Sequence, residues 1–308
     1  MTLRLLSSIE LPAHVAPGGF DHAAVHRSSA RLYVAHTVND AIDVVDCVQD
    51  RYLHSIPNLA GVAGALASDE QGLVFTSNRG ENSVGIFSPD DEAGLVKVGV
   101  GVRPNGLAYD PTHHLLLAAN VGDPAIPGSF TVSIVDVTQQ AMIAHVPVPG
   151  RTRWAIYDPQ SDTFYVNIMD PAQIVLIDGR SPTRVACTWD IPAVGPHGLD
   201  LDVAERRLFC ACDGKRLVTL AADAGRVLHE QDICGVPDVV WFNAALQHLY
   251  VAIGDPGVIE VFDTRGMRRI ETVTTEKGAH TLALDVARNK VYALLPQTHR
   301  AAVYVDQA

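Results

Sequence analysis

Arg103-Pro-Asn-Gly-Leu-Ala-Tyr-Asp110 recurs in outline twice further along the chain, as Gly195-Pro-His-Gly-Leu-Asp-Leu-Asp202 and as Gly278-Ala-His-Thr-Leu-Ala-Leu-Asp285. Related versions begin near Phe20, Val62, Arg151 and Pro237. With the position of Asn105 as anchor, the set is Asp21, Ala63, Asn105, Arg153, His197, Asp238 and His280. Successive anchors lie 42, 42, 48, 44, 41 and 42 residues apart. A second landmark keeps step. An apolar, β-rich run starts 11 residues after every anchor: Leu32-Tyr-Val-Ala-His36, Val74-Phe-Thr-Ser-Asn78, Leu116-Leu-Ala-Ala-Asn120, Phe164-Tyr-Val-Asn-Ile168, Leu208-Phe-Cys-Ala-Cys212, Leu249-Tyr-Val-Ala-Ile253 and Val291-Tyr-Ala-Leu-Leu295. A third landmark, an Asp that ends the next strand, falls 25 residues after the anchor at Asp46, Asp178 and Asp263. It falls 31 after it at Asp136, and that six-residue insertion accounts for the 48-residue spacing.

Short strands broken by turn residues about every ten positions, repeating near 42 residues, are the pattern of propeller blades. One blade cannot bury both of its faces alone, so neighbours around a ring must cover them. A helical solenoid of similar period would need long amphipathic helices, and the β-branched and aromatic residues here alternate at a period of two. The sequence therefore predicts an all-β, seven-bladed β-propeller as one domain over residues 1–308, with blades starting near residues 20, 62, 104, 152, 196, 237 and 279. The seventh repeat ends before a fourth strand is complete. Leu3-Arg-Leu-Leu-Ser-Ser-Ile-Glu-Leu-Pro12 resembles the outer strands at Tyr52–Pro57 and Met142–Pro147, so residues 3–11 are expected to complete the last blade and hide two open edges.

The runs Leu32-Tyr-Val-Ala-His-Thr-Val-Asn-Asp-Ala-Ile-Asp-Val-Val-Asp46 and Arg103-Pro-Asn-Gly-Leu-Ala-Tyr-Asp-Pro111 resemble the YVTN repeat family of β-propellers over essentially the whole chain. That resemblance implies the fold and leaves function open, because the repeat serves surface-layer proteins, quinoprotein subunits, enzymes and binding scaffolds alike. Gly195-Pro-His-Gly198 resembles, over that one segment, the propeller lactonases that include bacterial 6-phosphogluconolactonase. No catalytic residue is carried over from it.

Composition narrows the partners. Lys and Arg number 23 against 35 Asp and Glu, a formal charge of −12 with no basic run, so nucleic acid and anionic membrane surfaces are disfavoured. Hydrophobic residues make up 47% and mean hydropathy is +0.12, enough for a sizeable core, yet no apolar stretch reaches the length of a membrane span. No signal peptide is visible at the N-terminus, which points to the cytoplasm. An export-dependent role as a quinone-linked dehydrogenase subunit loses weight accordingly. The five cysteines form no Cys-x-x-Cys pair; Cys210 and Cys212 share one face of a strand, and Cys47, Cys187 and Cys234 read as packing residues near strand ends.

The anchors begin the innermost strands and should ring one mouth of the central channel. His197, Asp238, His280 and Asp21 come from consecutive blades. They form a candidate first shell for one divalent ion (Zn, Mn or Ca), and without a metal His197, His280 and Asp238 are candidates for acid–base catalysis. Arg103, Asn105 and Arg153 lie on the opposite arc and would hold an anionic group, joined by His36, Asn78 and Asn120 at the ends of second strands. The insertion Val121–Ser129 should overhang the same mouth, and Trp154 should pack between blades. The functional expectation is an enzyme of small anionic molecules, hydrolase- or lactonase-like. The alternative is a non-catalytic propeller that binds a protein partner.

Overall fold

The computed structural model describes residues 2–307 and forms seven antiparallel sheets of four strands arranged in a ring. The innermost strands are Ala23–His26, Val62–Ser68, Pro104–Asp110, Thr152–Asp158, Pro196–Asp202, Val236–Asn243 and Leu282–Asp285. Each is followed outward by second, third and outer strands in simple meander order. The expected closure is present. Leu3–Glu10 pairs antiparallel with Arg300–Asp306, so the last blade is built from both ends of the chain. The single helical piece among the described residues is the 3-10 turn Thr37–Asn39, and no helix there is long and apolar enough to cross a membrane.

The repeat has a local physical cause. The residue nine positions after each anchor adopts a left-handed conformation in all seven blades: Ala30, Gly72, His114, Asp162, Arg206, Gln247 and Asn289. This tight turn sets the register between the first and second strands. The aspartates that end third strands act as turn caps. Asp46 Oδ1 accepts from the Val48 and Gln49 amides at 2.8 and 2.9 Å, Asp136 does the same, and Asp178 and Asp263 each accept the amide two residues on.

Seven apolar clusters hold the ring together, each shared by two neighbouring blades. Tyr33, Ile42 and Val44 of the first blade pack on Val62, Val74 and Phe87 of the second. The cluster that closes the circle joins Ile9, Tyr292 and Val303 of the last blade to Phe20, Leu32 and Val45 of the first. No blade keeps a core of its own, which is why the chain needs its N-terminal strand to finish the ring.

Innermost strands approach closely near the mouth. The His22 amide donates to the Ala63 carbonyl at 2.9 Å across the gap between blades. A Cβ at Gly106 or Gly198 would come within 2.5 Å of the Arg153 carbonyl or 2.2 Å of the Asp238 carbonyl, so the repeated glycine after the anchor is a spacing requirement.

Two readings of the cysteines are refined. Cys47, Cys210 and Cys212 are buried, and the Cys210 and Cys212 sulfurs lie 3.8 Å apart as free thiols. Cys187 and Cys234 are exposed, because they sit on or beside outer strands that no further layer covers, so they are not packing residues.

Candidate functional site

Five of the seven anchors sit at an irregularity in the ladder between first and second strands. Register shifts between Val62 and Gly64, Pro104 and Leu107, Thr152 and Ala155, Pro196 and Gly198, and Pro237 and Val240 enclose Ala63, Asn105, Arg153, His197 and Asp238. Such bulges turn a side chain out of the sheet alternation. Asp21 and His280 lie just ahead of their innermost strands. All seven therefore stand at one end of the channel.

A chain of charged groups crosses blades five to seven. His197 Nδ1 lies 2.7 Å from Asp213 Oδ1, and its Nε2 lies 3.1 Å from Asp238 Oδ1. With a carboxylate on each side, the ring is held as an imidazolium and its pKa rises to about 9 despite burial. Asp238 is held well below the usual carboxylate range by the His197 imidazolium, against the opposing effect of burial. Arg153 approaches the same ring from blade four, with one guanidinium nitrogen 3.2 Å from His197 Nε2 and the other 3.4 Å from Asp213 Oδ2. Since the imidazolium carries a proton on Nε2 and cannot accept there, Arg153 is a like-charge neighbour held in place by Asp213.

His280 differs. Its Nδ1 donates to the Gly278 carbonyl at 2.7 Å, leaving Nε2 3.7 Å from Asp238 Oδ2, and more than a third of its side chain is exposed. It borders a recess of about 400 Å³ together with Asp21, Thr37 and Pro296. Asp21 is engaged by Arg79 at 3.4 Å and by His22 Nε2 at 3.4 Å.

The remaining arc is cationic. Arg79, Arg103, Arg151 and Arg153 are close enough that the Arg151 pKa is lowered, by burial first and then by the charges of Arg153, Arg79 and Arg103. Arg79 and Arg153 have carboxylate partners, whereas Arg103 and Arg151 carry no ion pair among the described residues. The Nε atoms of Arg79 and Arg153 are buried without a hydrogen-bond partner. Arg103 and Arg151 also line a recess of about 100 Å³ beneath Val121, Gly122, Pro124 and Phe130, so the insertion does overhang the mouth.

Several expected members fall elsewhere. His36, Asn78 and Asn120 are fully buried inside their own blades. His36 Nδ1 bonds Asp43 Oδ2 at 2.7 Å, Asn78 Nδ2 donates to Ser83 at 2.9 Å, and Asn120 Nδ2 donates to Thr131 and Ser133 at 3.0 Å. The reason is strand parity. Side chains alternate faces, so the residue one place further on reaches the mouth: Arg79 after Asn78, and Asp213 after Cys212. The metal quartet is also corrected. His197, Asp238, His280 and Asp21 are not gathered as one ligand set, because both His197 ring nitrogens face carboxylates and Asp21 is taken by Arg79 and His22. Among the described residues, the one group of three or more such ligand atoms lying within 4.8 Å of each other is Asp110, His113 and Asp162. There His113 Nδ1 bonds Asp110 at 2.6 Å as an ion pair, and Asp110 ends the innermost strand at whose start Asn105 stands, so the group lies at the opposite end of the strands from the anchors. Asn105 stands at the mouth with its Oδ1 buried and unpartnered.

Beneath the mouth, His22 is buried and kept neutral by that burial, with its ring 4.2 Å from Trp154. Trp154 in turn meets Trp241 edge-on at 6.3 Å. Trp154 contributes to the cores between blades, as expected, and also lines the channel itself.

No protein-family model matches the sequence, and no curated protein matches it either. Solved structures do match in shape. A chain of Kuenenia stuttgartiensis hydrazine synthase superposes with a TM-score of 0.82 at 12% identity, covering 96% of this chain and 97% of that one. A chain from a crystal structure of the mitotic checkpoint complex gives 0.81 at 11% identity, covering 99% and 92%. At such identities the likeness establishes the fold alone: the chain is a seven-bladed β-propeller.

Proposed function

We propose that this propeller is an enzyme that binds a small anionic molecule at the anchor mouth and hydrolyses an ester or lactone bond in it. One observation carries the reading: in a protein of formal charge −12, four arginines share one arc of the mouth, the pKa of Arg151 is lowered by burial and then by the charges of the other three, and Arg103 and Arg151 have no ion pair among the described residues. Such crowding is electrostatically unfavourable unless an anion relieves it, and charge-assisted hydrogen bonds to guanidinium contribute roughly 1.5–3 kcal/mol each.

The opposite arc supplies the chemistry. His280, its tautomer set by the Gly278 carbonyl, has Nε2 free to take a proton from water. The water oxygen attacks the carbonyl carbon and the C=O electron pair moves to oxygen, where the fixed cations of His197 and Arg153 stabilise the charge. The C–O bond then breaks, and the departing oxygen recovers the proton from His280. This reading draws on the weak likeness of Gly195-Pro-His-Gly198 to propeller lactonases and requires no metal ion.

The test is proton release from a panel of carboxylate- and phosphate-bearing lactones and aryl esters. Turnover should fall about 10²- to 10⁴-fold in kcat for His280→Gln, and Arg151→Gln should mainly raise KM. Absence of turnover across the panel, or turnover indifferent to both substitutions, contradicts the catalytic reading and leaves the binding-scaffold alternative.

A further inference from the structure

The channel behind the mouth holds a second chamber that the reaction above does not use. It has a volume of about 270 Å³ and runs along the innermost strands from His22 and Trp154 to their far ends at Ser68 and Pro111. Leu66, Leu107, Ile156, Trp154 and Trp241 make most of its wall, and Asp200 is its one carboxyl group. The residue three places after an anchor faces inward in five blades, and in the fifth blade that residue is Asp200.

Asp200 has no cation beside it among the described residues. Its oxygens accept the Leu201 amide at 2.8 Å and, across the gap to blade six, the Phe242 amide at 2.6 Å. Burial first, with Asp202 on the same strand, pushes its carboxyl up to about 7. Asp202 itself is paired with Arg207. The other titratable groups of the chamber are neutral: His22 by burial, and the phenols of Tyr109 and Tyr157, whose pKa values burial raises. A carboxylate in an aromatic enclosure repels anions and is costly to leave unpaired. The apolar walls give a sugar few partners. The faces of Trp154 and Trp241 attract a cation as well as an apolar body.

We propose that this chamber is a separate site for a small organic cation, a protonated primary amine with an aromatic body, its ammonium on Asp200 and its ring against the wall that Trp154 and Trp241 form. His22 and Trp154, their rings 4.2 Å apart, belong to the wall of this chamber and directly follow the anchors Asp21 and Arg153, so the chamber and the arginine arc would take ligands of opposite charge. As pH rises through about 7 Asp200 ionises, and the amine binds more tightly.

The experiment titrates the full chain with 2-phenylethylamine and with its neutral counterpart 2-phenylethanol, read by calorimetry and tryptophan fluorescence at pH 8 and pH 5.5. The amine should bind at least tenfold tighter than the alcohol at pH 8, and the preference should shrink severalfold at pH 5.5. Asp200→Asn should abolish the preference while retaining the alcohol. Asp200→Ser serves the same purpose if the first variant does not fold, and the wild-type pH comparison needs no variant. Binding of neither probe, equal affinity at pH 8, a preference unchanged by pH, or one that survives the substitution overturns the proposal.

Discussion

His197 and Asp238, anchors of adjacent blades, lie 3.1 Å apart across the seam between them, and Asp213 stands 2.7 Å from the other ring nitrogen. A histidine gripped in this way is a fixed cation at neutral pH, and its titration should move to about 9. Because the folded pKa lies above the unfolded value near 6.5, the stabilisation is fully present below 6.5 and is lost as pH rises through 9. The loss is on the order of 3 kcal/mol, from about 1.4 kcal/mol per pKa unit. Thermal unfolding followed from pH 6 to 10 should show the decline, and Asp238→Asn should flatten it. A wild-type melting temperature that stays level across that range contradicts the assignment.

The ring closure gives a stability prediction. Leu3 is buried in the core shared by blades six and seven, although it lies at the start of the chain. Leu3→Ala should cost about 2–5 kcal/mol, as for a fully buried leucine elsewhere. Removal of residues 2–10 should cause aggregation, since it bares the edge of Arg300–Asp306. Urea unfolding checks both. A loss below about 0.5 kcal/mol, the range of surface substitutions, would show that the strand is frayed.

His36 separates the mouth from the blade interior. Its ring is fully buried against Asp43 Oδ2, so His36→Ala should destabilise by about 1–3 kcal/mol, because that buried oxygen loses its partner while Ser55 still bonds the other. It should leave anion binding at the mouth unchanged. A variant of normal stability with weakened binding would return His36 to the site.

Much of this organisation is written in the chain. Asp21, Asn105, Arg153, His197, Asp238 and His280 share one structural position, because a fixed period and a fixed distance to the next strand define it whatever residue occupies it. Strand parity is what spacing alone does not settle. His36, Asn78 and Asn120 are the last residues of second strands and point inward, while Arg79 and Asp213, one step later, point to the channel. His22 carried no signal because three other blades have glycine at its position. Asp200 looks like the polar member of an alternating strand, Gly-Leu-Asp-Leu-Asp, and only the closed ring turns that face toward a shared enclosure. Arg151 lies outside the strands, and its role is visible only beside the other three arginines.

The arginine arc admits the most direct test of the account. Inorganic phosphate and succinate are titrated calorimetrically into the wild-type protein and into Arg151→Gln and Arg153→Gln at low and moderate salt. At least one anion should bind, more weakly as salt rises, and each substitution should weaken it tenfold or more, the size expected for losing one charge-assisted hydrogen bond of roughly 1.5–3 kcal/mol. If neither anion binds, or if affinity is the same in both variants as in the wild type, the mouth is not an anion site and the proposed function is wrong.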